Sequence, residues 1–322
     1  MRNIVAAIGC ALGMLAASSA VAQTYPDKPI KIVVPFAPGG AVDSLARIVG
    51  AKLQDSMKQP VIVENRPGAG GNIAADAVAK SAPDGYTVLL TTVGHAISPS
   101  LYKKLSYDPL NDFAPVTQII TASLLLVTNP KFPAEDLSGL VKIARERPGA
   151  LNYGSTGIGN PLHLTMEMLK VNAKIDIQMV PFRGDAPLNQ ALVQGDVEMA
   201  VAPLGTAAPQ VESGALRAIA VTGAKRSPLM PNVKTIAEQG YPGVLTDSWQ
   251  GLFMPAKTPA AIVTKLQQEV ANALKDPTVV KRIEGFGSEP VGSTPEQFRT
   301  FVVAEIEKYA RLVKEANVPL QD

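Results

Sequence analysis

The residues best suited to hold a charged guest sit in three glycine-bearing stretches, each placed after a run of β-formers. The first is Pro35-Phe36-Ala37-Pro38-Gly39-Gly40-Ala41-Val42-Asp43, which opens a predicted helix through about Met57. Two glycines let the main chain turn tightly and approach a ligand with no Cβ in the way. The first turn of the helix offers unpartnered N–H groups and the positive end of its dipole, a setting for a carboxylate or phosphate. Asp43 falls where an acid favours that turn, and its blander role is a structural cap. The second stretch runs from Tyr153 to His163, with Ser155 and Thr156 as hydroxyl donors and Pro161 at a predicted helix start. His163 lies one turn into that helix, where packing behind the loop competes with ligand contact. The third is Pro181-Phe182-Arg183-Gly184-Asp185-Ala186-Pro187, whose charges are Arg183 and Asp185. Taken singly, each stretch also reads as an ordinary solvated turn. Three such turns converging on one cleft would give an anion pocket built mainly from backbone donors.

The same residues fit enzymes poorly. Gly157 and Gly159 are followed by Leu162 where a dinucleotide fingerprint needs glycine, and Gly68 and Gly70 by Ile73. No phosphate-binding G-x-x-x-x-G-K-[ST] occurs, and Gly154-Ser155-Thr156-Gly157 is not G-x-S-x-G. Two histidines, His95 and His163, cannot build a His-rich metal site. A hydrolase pairing Ser155 with His163 is the alternative, but no acid is placed to orient the imidazole. No catalytic residue, metal or cofactor is therefore expected.

These loops need rigid elements behind them. Apolar β-rich runs recur at Ile30–Val34, Val61–Val63, Thr87–Thr91, Leu124–Val127, Ile177–Val180, Met199–Val201 and Ala218–Val221. Helical spacing lies between several of them, as in Leu45, Val49 and Leu53, and closes the chain with Phe298, Phe301, Val302, Tyr309 and Leu312. Strands alternating with helices predict an α/β protein with buried, mostly parallel sheets, whose ligands bind beyond the carboxyl ends of the strands. The 322-residue length suits about two domains. Thirty Lys and Arg against 28 Asp and Glu leave a net charge of +2, too balanced for a nucleic-acid binder.

The first residues read as an export leader rather than as fold. Arg2, the uncharged stretch Ile4 to Ala17 and the small-residue site Ala20-Val21-Ala22 follow the order a signal peptidase reads. The apolar run is short of the ~20 residues needed to span a bilayer. Cleavage after Ala22 would remove the sole cysteine, Cys10, and with it any disulfide. A lipid anchor at Cys10 is disfavoured, because only a few apolar residues precede it. A periplasmic location follows.

Tyr25-Pro26-Asp27-Lys28-Pro29-Ile30, Pro35-Phe36, Pro38-Gly39-Gly40 and Asp43 resemble the start of the Bug family, the extracytoplasmic solute-binding proteins of tripartite tricarboxylate transporters. The similarity continues through Val63–Gly71, Pro83–Thr87, Asn152–Ser155, Leu162–Leu164, Gly195–Val197 and Trp249–Leu252. It implies a two-lobed type II periplasmic-binding-protein fold with two crossovers, the Venus flytrap. Lobe 1 would comprise residues 23–123 and 247–322, and lobe 2 residues 124–246. It implies capture of a small carboxylate by a monomer, with transporter membrane subunits as partners, or a membrane sensor kinase if the role is signalling. The matching positions assign ligand contacts to Phe36, Ala37, Pro38, Gly39, Gly40 and Asp43, and to Thr92, Gly94 and His95. On the second lobe they assign Ser155, Thr156, Gly157, Asn160, His163, Arg183, Gly184, Asp185 and Ala186. The chain departs from the family at Phe182-Arg183-Gly184, where Tyr-Lys-Gly is more common, at Leu188, and at Asn160-Pro161. These departures bear on the substrate rather than on the class.

Overall fold

A computed structural model describes residues 25–322. The leader expected over residues 1–22, Cys10 included, lies outside the described residues. No helix among them is long and apolar enough to cross a membrane.

The first sheet is built on β1 (Ile30–Val34), with β2 (Val61–Asn65) and β3 (Thr87–Thr92) parallel on either side. β1 is almost wholly apolar because both its faces are covered, as a parallel strand requires. Ile30, Ile32 and Val34 enter one core cluster and Val33 the other. Val88 and Leu90 of β3 divide from Leu89 in the same way. Helix α1 (Ala41–Met57) lays Leu45, Val49 and Leu53, four residues apart, against the first of these faces.

Two long strands join the halves of the molecule. β4 (Phe113–Thr128) runs antiparallel to β9 (Asp247–Pro255), from Phe113 opposite Pro255 to Ser123 opposite Asp247. β9 also borders β3, antiparallel. From Leu124 onward β4 changes partners, pairing with β7 (Met199–Pro203) on one side and β8 (Arg217–Val221) on the other. β7 leads by parallel pairing to β5 (Asn152–Ser155), and β5 to β6 (Gln178–Pro181). The path is β2-β1-β3-β9-β4-β7-β5-β6, with β10 (Glu289–Pro290) beside β4. The sheets are therefore mixed: parallel on the outer parts, antiparallel at the join. The chain enters the second lobe along β4 and comes back along β9, so these two strands must run opposite ways.

Helices cover the sheets: α2 (Asn72–Ala79), α3 (Gly94–Leu101), α4 (Leu137–Glu146), α5 (Pro161–Ala173), α6 (Asp185–Gln194), α7 (Leu204–Glu212), α8 (Ala260–Ala273), α9 (Pro277–Glu284) and α10 (Pro295–Glu315). Thr294 and Gln297 form a reciprocal capping box at the start of α10, with Pro295 in the first turn. α10 buries Phe298, Val302, Tyr309 and Leu312 and packs along both α3 and α5. Beneath it lies Trp249, fully buried, whose indole N–H donates to Glu305 at 3.0 Å. Glu305 also pairs with Lys308, so its carboxylate is not left unpaired inside.

Candidate functional site

Between the lobes lies a cavity of about 410 Å³. From the first lobe it is lined by Phe36 after β1, Gly70 in the turn before α2, Thr92 at the end of β3, and Gly94, Ile97, Ser98, Leu101 and Tyr102 on or just after α3. From the second lobe come Gly157, Ile158, Gly159, Asn160 and Pro161, the turn from β5 into α5. Gln321, near the end of the chain, completes the lining. None of these side chains is charged. A guest meets the apolar side chains of Phe36, Ile97, Leu101, Ile158 and Pro161, and among them a few hydroxyls, carboxamides and main-chain groups that could orient an anion without pairing it to a fixed cation.

The first loop approaches this cavity through Phe36. Ala37, Pro38, Gly39 and Gly40 are exposed beyond it. Gly39 has φ +87°, and Gly40 precedes α1 without giving it a side-chain cap. Asp43 does not reach the cavity. Its buried carboxylate accepts from Gly39 N–H (3.0 Å), Asn65 Nδ2 (3.0 Å) and the Arg47 guanidinium (2.9 and 3.0 Å). Asn65 Nδ2 also donates to Phe36 O at 2.9 Å, so the loop is braced at two points. Arg47, then the Gly39 and Asn65 donors, hold the Asp43 carboxyl down to about 2 against the opposing effect of burial.

Thr92 and Gly94 face the cavity, and Gly94 N–H donates to Thr92 Oγ1 at 3.3 Å. His95 turns the other way, into the core. It stacks on Tyr107 (5.8 Å between centroids) and meets Phe113 and Phe253 at 4.9 and 4.8 Å. Its Nε2 donates to Pro109 O at 3.0 Å, and its Nδ1 is buried without a partner. Burial pushes the imidazole down to about 4, so it is neutral.

The β5–α5 turn is held from behind. Ser155 is buried, with Oγ donating to Gly157 O at 3.3 Å. Asn160 Nδ2 donates to Thr156 Oγ1 at 3.2 Å, while its Oδ1 accepts from His163 N–H at 2.8 Å and caps α5. His163 is buried outside the cavity wall, and its Nδ1 accepts from Gly159 N–H at 3.0 Å. Behind it Glu167 accepts from Tyr153 (2.6 Å) and Lys170 (2.7 Å), and burial lowers the His163 pKa. His163 thus braces the turn from behind.

The β6–α6 turn stands apart from this cavity. Arg183, Gly184 and Ala186 are exposed, and Asp185 opens α6. The turn is joined to the site through Phe182 N–H, which donates to Ser155 O at 2.8 Å.

Ser98, Tyr102, Gly70 and Gln321 are cavity residues that the loop motifs do not announce. Ser98 and Tyr102 follow Gly94 at helical spacing, a signal present in the sequence once α3 is placed. Gly70, at φ +64°, sits 2.7 Å from Tyr102 Oη if given a Cβ, so a side chain there would collide with the tyrosine. Gln321 has no local signal.

Two α/β lobes on shared strands, closing on an uncharged cavity with mainly apolar walls and a few polar groups, define a solute-binding receptor. The chain matches the family described as tripartite tricarboxylate transporter family receptor, TctC, over residues 45–318, and it belongs to that family. Members are periplasmic solute-binding proteins and not enzymes, which removes the hydrolase alternative. The chain is 36% identical to Protein BugT of Bordetella pertussis, covering 100% of this chain and 99% of BugT. It is 36% identical to a solved R. palustris protein with adipate, at TM-score 0.79, covering 92% of this chain and 100% of that one. It is 34% identical to MatC from Rhodopseudomonas palustris with bound malate, at TM-score 0.75, covering 90% and 100%.

Proposed function

We propose that this receptor captures a small mono- or dicarboxylic acid in the interlobe cavity and presents it, in a closed form, to the membrane subunits of a tripartite transporter. The protein acts as a monomer in the periplasm after loss of residues 1–22. The lobes divide at Ser123/Leu124, where β4 exchanges its partners, and at Thr246/Asp247, where β9 begins. The guest's carboxylate is held by Thr92, Gly94, Ser98, Tyr102 and Asn160, with the amides around Gly40 at the mouth. The observation that carries this reading is the lining: a few hydroxyls, carboxamides and main-chain groups from both lobes among apolar walls (Phe36, Ile97, Leu101, Ile158 and Pro161), with no acidic group among the cavity residues to repel an anion. The similar proteins solved with adipate and with malate support it.

Contacts from both lobes exist together only when the cleft is closed. A ligand shifts the population toward that form by its differential affinity for it. Calorimetry on residues 23–322 against adipate, malate, citrate, amino acids and neutral sugars tests the proposal. Binding of at least one organic acid, with none of the sugars, is expected. Sugar binding with no response to any acid would sink it.

A further inference from the structure

Gln321 is remote in sequence from the rest of the cavity wall, yet three parts of the molecule meet on it. Its main chain is fastened to the end of α3 in the first lobe. Gln321 N–H donates to Leu101 O at 2.8 Å, and Lys103 N–H donates to Gln321 O at 3.0 Å, giving a parallel bridge between Gln321 and Tyr102. Its side chain goes the other way: Nε2 donates to Ile158 O, in the second-lobe turn between β5 and α5, at 2.7 Å. Among the described residues this is the side-chain hydrogen bond that ties that turn to the first lobe; Asn160 and His163 brace it from within its own lobe. Next to it, Gly159 has φ +77°, and a Cβ there would lie 2.4 Å from both δ carbons of Leu101. The glycine lets the turn settle directly on α3.

Gln321, Tyr102, Leu101, Ile158 and Gly159 all line the cavity. The amide of Gln321 reaching Ile158 O is thus one point at which the spacing across it is held, beside the seat of Gly159 on Leu101. A shorter side chain frees the turn to stand off from α3, and the cavity lengthens. We propose that Gln321 is a positioning residue that holds the β5–α5 turn to the first lobe and thereby sets which length of diacid the cavity accepts. The choice of ligand rests on the carboxylate reading above; the tether rests on the hydrogen bonds alone.

The experiment has two arms on residues 23–322, using the parent, Gln321→Ala and Gln321→Glu. In the ligand-free arm, hydrogen–deuterium exchange of residues 156–161 is expected to quicken in both variants, because neither alanine nor glutamate donates to Ile158 O. In the binding arm the probes are unbranched α,ω-diacids of four to eight carbons. Gln321→Ala is expected to lose about three- to tenfold in affinity at the parent's preferred length, the worth of one neutral hydrogen bond. Its preference should move toward longer diacids, which a merely structural role would not cause. Gln321→Glu should lose more at every length, since it sets a negative charge in the wall. Unaltered exchange, or a Gln321→Ala variant that keeps the parent's order of chain lengths, overturns the proposal. A parent that binds none of these diacids overturns the length-setting claim but not the carboxylate reading, which the calorimetry above decides by any organic acid; quicker exchange in the variants would still uphold the tether.

Discussion

Asp43 spends its carboxylate inside the first lobe, and this fixes what its removal should do. Asp43→Asn is expected to cost about 1–2 kcal/mol at pH 7, the worth of charge-assisted hydrogen bonds whose arginine partner is half exposed. The folded-state pKa of about 2 lies below the ordinary carboxylate value of 3.8, so the contribution is complete above pH 4 and is lost as pH falls toward 2. Denaturant melts of parent and variant should converge over that window; a constant gap would refute the assignment. His95 gives a second test. Its pKa of about 4 in the folded protein lies below 6.5, so the unfolded chain takes up the proton first. Stability is complete above pH 6.5 and declines as pH falls toward 4, by up to ~1.4 kcal/mol per pH unit for one such group. His95→Phe should flatten that decline in urea titrations. Both residues carry a warning about reading sites from motifs. The sequence places Asp43 and His95 in the loop stretches it singles out, but the direction of a side chain depends on which face of α1 or α3 the core claims.

The turns can be tested as units. Gly40 has φ −77°, and a Cβ there would come no nearer than 3.8 Å to Ala37 O, so Gly40→Val should leave the melting temperature nearly unchanged. It should weaken binding of an organic acid all the same, by crowding the exposed amides of the first loop; full affinity in titrations would take that loop out of the site. Gly159→Ala is the contrasting case, because its positive φ and the nearness of Leu101 penalise any side chain. It should lower both stability and affinity, read by melting and calorimetry on the same sample. Much of this level was legible beforehand. The apolar runs at 30–34, 87–91 and 199–201 are strands because burial on both faces demands it. The run at 124–127 gave only the end of β4, since Pro115, Thr117 and Gln118, among the residues beside two register shifts, break the apolar pattern of Phe113–Ser123.

For the molecule entire, binding and closure should be one event. A cognate acid at a hundred times its Kd is expected to raise the unfolding free energy by ~2.7 kcal/mol, and X-ray scattering should show a smaller radius of gyration in its presence. A stabilised protein of unchanged radius would mean that the guest binds without further closure. The part of the site that was not legible belongs here too. Gln321 and Ile158 are 163 positions apart, and no local pattern announces a contact made only when α10 has packed along α3 and α5.

The exchange of partners along β4 has a bearing on how the chain is completed during synthesis. On the proposed division the second lobe, residues 124–246, is one unbroken stretch of chain, whereas the first must wait for β9 before β3 and the first part of β4 gain their shared neighbour. Nascent chains stalled after Thr246 has cleared the ribosome should resist protease over residues 124–246 while the earlier residues are still cut. Protection of the first lobe at that length would show that it does not depend on its late strand.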